Sequence, residues 1–275
     1  IENYDTDYWS YTLTANYAIW QNSDEFLNLI GAVPEDLERE SFIEDIERYT
    51  TSELVYSFYH TAEALFAMMM ASQTDVPWLT LREYRHGQLW SFARDIVKKE
   101  TDADIIGSIF YPNLTPDEKL NVSCREIREY LQGMFQTFED NEVYNAYKHG
   151  LRLMTDEEYA QFYNEDSDVP TAEFGGYAHI YLQDRDIEDS ELKRLIRVVR
   201  AYDADYHYQM ASVNVQLIEA ILDVFKRQSE SQENEDYEVR IFEDDTISNA
   251  PYDRSNSYME LERPYEVGDY TVRVK

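Results

Sequence analysis

Positive charge is scarce in this chain of 275 residues. It has 24 lysines and arginines against 56 aspartates and glutamates, which gives a formal net charge of −32. Arginine outnumbers lysine by 17 to 7, and the acidic residues are spread along the whole sequence. Self-repulsion of this size opposes a compact fold unless salt screens it. The even spread also disfavours a basic protein partner, which would require a concentrated acidic patch.

Cysteine, glycine and long apolar runs are also scarce. Cys124 stands alone, which excludes an intrachain disulfide and a thiolate metal cluster. Only eight glycines occur, and no P-loop, dinucleotide-binding or nucleophile-elbow motif is found. The longest apolar run, at 64–71, is too short to cross a bilayer. We therefore expect no cofactor and no membrane contact.

The composition as a whole resembles that of proteins from halophiles that accumulate salt in the cytosol. With 43% hydrophobic and 15% aromatic residues, the chain can form a sizeable core despite its charge. No signal-like segment is visible at the start of the sequence, which begins at Ile1. We expect a cytoplasmic protein in a high-salt cytosol.

Helical periodicity dominates the first two-thirds of the sequence. In residues 50–71, apolar side chains recur at helical spacing after "TTSE", a candidate N-terminal cap. Three further helical stretches are predicted: 80–100 with a kink at Gly87, 115–154 with Pro116 in the first turn and a break at 139–142, and 190–228 as one helix or two collinear helices.

Strand-like alternation appears in only a few short segments. It occurs at 173–186, where Gly175 and Gly176 would turn the chain into a first strand, and again at 237–245, 258–264 and 268–275. We predict a mainly α fold, a helical bundle with a small β-rich appendage formed by residues 173–183 and 237–275. The predicted domains are a bundle over 1–228 and an acidic linker with a β-rich tail over 229–275, packed on the bundle.

A basic face that carries a histidine is predicted near residue 149. On a helix, Asn145, Lys148, His149 and Arg152 fall at i, i+3, i+4 and i+7 and share one side. Their amide, imidazole and two cations would suit an anionic group such as phosphate. The alternative is structural, because cations favour the C-terminal end of a helix, where carbonyl groups point outward.

A second candidate site lies in the predicted helix 190–228, which carries the densest basic run of the chain. Arg200, Asp203 and His207 would share one face there, and Asp203 could orient the imidazole as a carboxylate orients a general base. The alternative is an exposed ladder of helical ion pairs.

Two weaker polar groupings complete the candidates. His60 lies on the polar side of the helix predicted at 50–71 and is a candidate substrate-binding residue, together with Lys148 of the face described above. Glu83 and His86 have the Glu-x-x-His spacing of di-iron bundles. Such a centre needs a second motif and two more carboxylates, so we expect no metal site.

Two stretches resemble HEPN-type all-helical proteins. "SFYHTAEALFAMMMA" at 57–71 is similar to an early helix of that bundle, and "YNAYKHGLR" at 144–152 is similar to its Asn-x-x-Lys-His-Gly segment. The resemblance leaves the β-rich tail unexplained. Many HEPN proteins are metal-independent ribonucleases, or inactive relatives of them, that dimerise to bring two Arg…His motifs together. Arg200 and His207 match that motif, although Ala201 stands where a polar residue usually follows the arginine.

Two functions follow as hypotheses. In a ribonuclease, an imidazole would move a proton while an RNA 2′-hydroxyl attacks its phosphate, and Arg152 or Arg200 would stabilise the developing charge. RNA binding by so acidic a chain requires a local basic pocket, and high salt weakens it further. The rival hypothesis is a non-enzymatic helical module that binds a second copy or a partner protein, favoured by 24 tyrosines and four tryptophans. Buried histidines would favour the module.

Overall fold

The fold is mainly α, as the sequence predicts, with one antiparallel sheet. The computed structural model describes residues 6–31, 38–98, 103–139, 153–163, 170–186, 193–230, 240–242, 247 and 258–270. Its helices are α1 (Asp7–Gln21), α2 (Ser23–Ile30), α3 (Arg39–Ser72), α4 (Pro77–Glu83), α5 (His86–Lys98), α6 (Ala103–Phe110), α7 (Glu118–Glu139) and α8 (Ala204–Glu230). Its strands are β1 (Leu153–Tyr163), β2 (Pro170–Asp186), β3 (Lys193–Tyr202) and β4 (Tyr258–Tyr270).

The chain divides into two compact units that alternate along the sequence. The first unit takes in Ile1–Tyr17, Leu54–Glu139 and Ala204–Arg254, and is helical where the structure describes it. The second takes in Ala18–Glu53, Asp140–Asp203 and Ser255–Lys275, and contains the sheet. The predicted domain boundary lies near the end of α8, and most of the linker predicted after it lies outside the described residues, so that boundary stays a prediction.

The core of the helical unit is built around the second half of α3. The predicted apolar face is confirmed, since its five members are all fully buried: Leu54, Phe58, Ala62, Leu65 and Met69. Val55, Tyr59 and Phe66 on other sides of the same helix are buried as well. A helix that is apolar around most of its circumference is an interior helix. This segment of α3 is therefore central to its unit.

The sheet has the strand order β1-β2-β3-β4, and every neighbouring pair is antiparallel. β2 confirms the strand predicted at 173–186, but Gly175 and Gly176 lie inside it, paired with Tyr159 and Glu158, and do not form a turn. Glycine can occupy the interior of a strand, although it contributes no side chain to the packing of the sheet. The sheet is larger than the predicted appendage because β1 and β3 were not expected.

The predicted helix at 190–228 is wrong in its first part. Residues Lys193–Tyr202 form strand β3, and the helix begins at Ala204. β3 pairs with β2 on one side and with β4 on the other. The strand contains Ile196, Val198 and Val199, whose branched side chains suit a pleated surface. Pairing with a strand on each side thus overrides the helical periodicity of the basic residues.

Local details of the helix ends also differ from the prediction. "TTSE" at 50–53 does not cap α3, which begins at Arg39. Within the helix, the hydroxyl of Thr50 donates to the carbonyl of Ile46 at 2.8 Å. Likewise Ser52 donates to Arg48 at 3.0 Å. Small hydroxyl side chains can bond back to the preceding turn, so they sit inside helices as well as at their starts.

The remaining predicted breaks are shifted by a few residues. α4 ends at Glu83 and α5 starts at His86, so the break precedes Gly87 and is not a kink at it. Pro116 lies before α7, whose first turn is capped by Asp117 through its bond to the amide of Leu120 at 2.8 Å. α7 is described up to Glu139, and the rest of the predicted break at 139–142 lies outside the described residues. Residues 240–242 are not in a strand, in contrast to the prediction for 237–245. Across the described ranges, none of the helices has the length and apolar character needed to cross a membrane.

Candidate functional site

Arg200 contacts a different histidine from the one that the sequence suggests. It lies in β3, directly opposite His179 of β2 in the antiparallel register. Side chains at such paired positions point to the same face of a sheet. Both residues are buried. The predicted face that joined Arg200, Asp203 and His207 on one helix is therefore wrong, because Arg200 belongs to a strand and His207 to α8.

Helix α3 contributes a hydroxyl to this cluster. The Oγ of Ser52 lies 2.8 Å from the Nε2 of His179, and Ser52 is also buried. The ring of Tyr202 lies 5.0 Å from the imidazole, centroid to centroid. We call Ser52, His179, Arg200 and Tyr202 the sheet cluster. It lies entirely within the second unit.

The sheet cluster has the residue types of a nucleophile and a base, but its surroundings do not suit catalysis. A serine within hydrogen-bond reach of a histidine is the geometry of an activated nucleophile. However, the hydroxyl of Ser52 also donates to the backbone carbonyl of Arg48. In that arrangement the single proton of Ser52 is used, and Nε2 of His179 donates to Oγ. This bonding ties α3 to the sheet through buried side chains.

His207 lies in the core of the helical unit. Its side chain is 0% exposed. The ring meets Phe58 edge to face at 5.4 Å and Tyr206 at 5.1 Å, centroid to centroid. A histidine enclosed by aromatic rings cannot reach an RNA phosphate. The predicted general base is therefore a core residue in this structure.

A buried polar network lies in the same core, between α3, α7 and α8. The hydroxyl of Tyr130 lies 2.7 Å from the carbonyl oxygen of Met210 and 2.8 Å from the Oδ1 of Asn214. The amide of Asn214 in turn donates to Thr61 at 3.2 Å. Burial raises the pKa of Tyr130 well above its ordinary value. These hydrogen bonds join side chains of different helices and so fix the register of α3, α7 and α8. Burying the polar groups costs desolvation free energy, which the bonds offset.

Five predicted site residues remain, and the structure describes only one of them, His60. His60 lies on α3, is half-buried, and has its ring 5.8 Å from that of Trp9. Asn145, Lys148, His149 and Arg152 lie outside the described residues, so their shared face stays a prediction. In the parts of the chain that the structure describes, no three His, Cys, Asp or Glu side chains are grouped to hold a metal ion.

An exposed apolar patch lies at the start of α4 and is not among the sites predicted from the sequence. Trp78 is 63% exposed, and Val76 and Leu79 are exposed beside it. Val76 and Leu79 are three residues apart and so share a helix face. We call these three residues the α4 patch. The signal was present in "DVPWLTLRE", where Val76, Trp78 and Leu79 flank Pro77 within about one turn.

Comparison of the chain with protein-family models, with curated proteins and with solved structures gave no match. The resemblance to HEPN proteins therefore stays a prediction that rests on the two short stretches of sequence.

Proposed function

We propose that this protein is a non-enzymatic helical module that forms a homodimer through the α4 patch. The observation that carries the proposal is the exposure of Val76, Trp78 and Leu79 within a single turn. Scattered exposed apolar residues are ordinary, whereas adjacent ones mark interaction surfaces. Tryptophan in particular is enriched among the residues that dominate binding energy.

Charge favours a second copy as the occupant. In the sequence around the patch the acidic excess is absent, since residues 75–88 contain two arginines, Arg82 and Arg85, and two acids, Asp75 and Glu83. The guanidinium of Arg82 lies 2.6 Å from the carboxylate of Glu83, and both side chains are exposed. In a two-fold contact, a pair between Arg82 of one copy and Glu83 of the other forms twice, once in each direction. The ion pair within each chain can therefore be exchanged for two ion pairs across the interface. The net charge of −32 on each chain would oppose this contact until salt screens it.

Burial of the described candidate residues supports a module over an enzyme. His207 and Arg200 are both buried, in different units of the chain. An active site for RNA would need at least one of them in an open basic groove. We place the module in a high-salt cytoplasm on the strength of its composition.

The dimer proposal predicts association that strengthens with salt. By light scattering coupled to size exclusion, the wild type should shift from monomer toward dimer between about 0.2 M and about 2 M KCl, as the Debye length shortens. Trp78→Ser should raise the dimer Kd by about 30-fold or more, the effect of removing a hot-spot residue worth about 2 kcal/mol.

Tyr11→Ser is the matched control, because Tyr11 is 72% exposed on α1 and lies outside the α4 patch. It should leave the dimer Kd unchanged. A wild type that stays monomeric at every salt concentration would overturn the proposal, even if it captured another protein. So would a Trp78→Ser variant that dimerises as the wild type does.

An RNA-cleavage assay in molar KCl separates the module from the ribonuclease hypothesis. The module predicts no cleavage of transfer, ribosomal or messenger RNA by the wild type. Cleavage that is lost in His149→Ala and kept in His207→Ala would instead support a ribonuclease site at residues 145–152. In that outcome the resemblance to HEPN ribonucleases would gain its first experimental support.

A further inference from the structure

A cavity of about 400 Å³ lies between the end of α6 and the first turns of α7. Its volume falls within the range of small-molecule sites. It lies within the helical unit and is separate from the α4 patch. The lining residues come from α6, from the connecting loop and from α7: Gly107, Ser108, Tyr111, Pro112, Asn113, Leu114, Pro116, Leu120, Asn121 and Cys124.

The loop that forms one wall is held in a defined conformation. Asn113 has a φ of +65°, in the left-handed region that asparagine tolerates better than most residues. The amide of Leu114 donates to the carbonyl of Tyr111 at 3.3 Å, which closes a turn around it. Asp117 then caps α7. A wall built this way is preformed, so a ligand would not have to order it.

Tyr111 presents its ring and not its hydroxyl to a ligand. The hydroxyl lies 2.6 Å from the Oγ of Ser123 and donates to the carbonyl of Arg240 at 3.1 Å. The amide of Phe242 also donates to Ser123, at 2.9 Å. These bonds fix the ring in place as an apolar surface.

The chemistry of the lining selects for an uncharged molecule. No acidic or basic side chain is among the lining residues that the structure describes, although the chain as a whole is strongly acidic. Leucine and proline side chains supply apolar surface. Asn113 and Asn121 supply primary amides, each of which can both donate and accept hydrogen bonds. No cation is among these lining residues to pair with an anion, and the net charge of the chain would oppose its approach.

Gly107 leaves the α6 side of the cavity open. A Cβ added at Gly107 would meet only the Sγ of Cys124, at 3.9 Å, which is an ordinary contact distance. A methyl group therefore fits, whereas a longer side chain at this position would occupy the cavity itself.

We propose that this cavity binds a flat, uncharged ring that carries an amide-type group, with Asn113 and Asn121 reading the amide and Tyr111 and Leu114 packing on the ring. The site is independent of the proposed dimer contact. Nicotinamide has this chemistry, and nicotinate is a close isostere in which a carboxylate replaces the amide. Comparing the binding of nicotinamide with that of nicotinate therefore tests the effect of charge and hydrogen bonding, because the two molecules have nearly the same shape.

Protection of Cys124 from N-ethylmaleimide, followed by mass spectrometry, reports occupancy. Cys124 is the single cysteine of the chain, so the label has one site. Burial raises the pKa of the thiol, and Arg128 partly offsets this, so all rates are compared at one fixed pH. Nicotinamide at up to about 20 mM should slow labelling about fivefold in a saturable way, as expected near four times its Kd. Nicotinate should leave the rate unchanged.

Two variants at Gly107 test the location of binding in the full chain. Gly107→Ala should keep the protection by nicotinamide, and Gly107→Leu should abolish it. Asn121→Ala, at an exposed position on α7, should weaken protection severalfold and gives the answer if the leucine variant does not fold. Equal protection by nicotinate, no protection by nicotinamide, or full protection in both Gly107→Leu and Asn121→Ala would each overturn the proposal. None of these results depends on whether the protein dimerises.

Discussion

Replacing Phe138 by alanine should lower the free energy of unfolding by about 3–5 kcal/mol, the cost of deleting a fully buried aromatic ring. Phe138 is at the end of α7 and is buried. Its ring stacks on that of Trp90 at 4.8 Å and 7°, and lies 5.7 Å from Phe66 and 6.3 Å from Tyr59. Removal of the ring strips contacts from two other helices, α3 and α5, so the cavity cannot close by the shift of a single neighbour.

Urea unfolding in molar KCl measures this loss, with Tyr8→Ala as the control. Tyr8 is an exposed aromatic of α1, and its replacement should change stability by less than about 0.5 kcal/mol. Phe138→Leu should fall between the two, because it keeps apolar volume but loses the stacking. A loss below about 1 kcal/mol for Phe138→Ala would contradict the placement of this ring in the core.

The folded state should lose about 2 kcal/mol of stability between pH 10 and pH 12 through Tyr111 alone. The pKa of Tyr111 is raised to about 12, and burial is the largest cause. The nearby Cys124 adds to the rise, and hydrogen bonds with Ser123 and Phe242 oppose it. In the unfolded chain the same hydroxyl titrates near its ordinary pKa of 10. Across this window the unfolded state has released the proton and the folded state still holds it, so rising pH favours unfolding.

Comparison with Tyr111→Phe isolates this contribution. The variant should start about 1 kcal/mol less stable at pH 8, because the bonds to Ser123 and to the carbonyl of Arg240 are lost. It should then lose less stability than the wild type between pH 10 and 12, because it has no hydroxyl at position 111 to titrate. Some loss should remain, because Tyr130, whose pKa is also raised, titrates in both proteins. Parallel stability curves for the two proteins would show that Tyr111 titrates normally.

Much of the helical unit could be predicted from the sequence, because helices are indicated by apolar residues that recur within a few turns. Five apolar residues of α3 recur at helical spacing, and all five are buried: Leu54, Phe58, Ala62, Leu65 and Met69. What local signals could not give is the start of α3, because Thr50 and Ser52 are as compatible with a helix interior as with a cap.

The sheet cluster could not have been found from one sequence. His179 and Arg200 are neighbours only because β2 and β3 pair in one particular register, and a shift by one residue would place them on opposite faces. Ser52 comes from a helix more than a hundred residues earlier in the chain. The spacing of Arg200 and His207 looked meaningful on a helix, but a strand at Lys193–Tyr202 removes the periodicity on which that reading depended.

By itself, the sequence determined the mainly α class, the interior face of α3, the strand at 173–186 and the severe excess of negative charge. These depend on composition and on periodicities shorter than a few turns. Only the tertiary structure decided that Lys193–Tyr202 is a strand, that His207 is enclosed by aromatic rings, and that Trp78 is exposed while Phe138 is not. The reason is physical: pairing and burial are set by partners far away in the chain, and an apolar residue carries no mark of whether such a partner covers it.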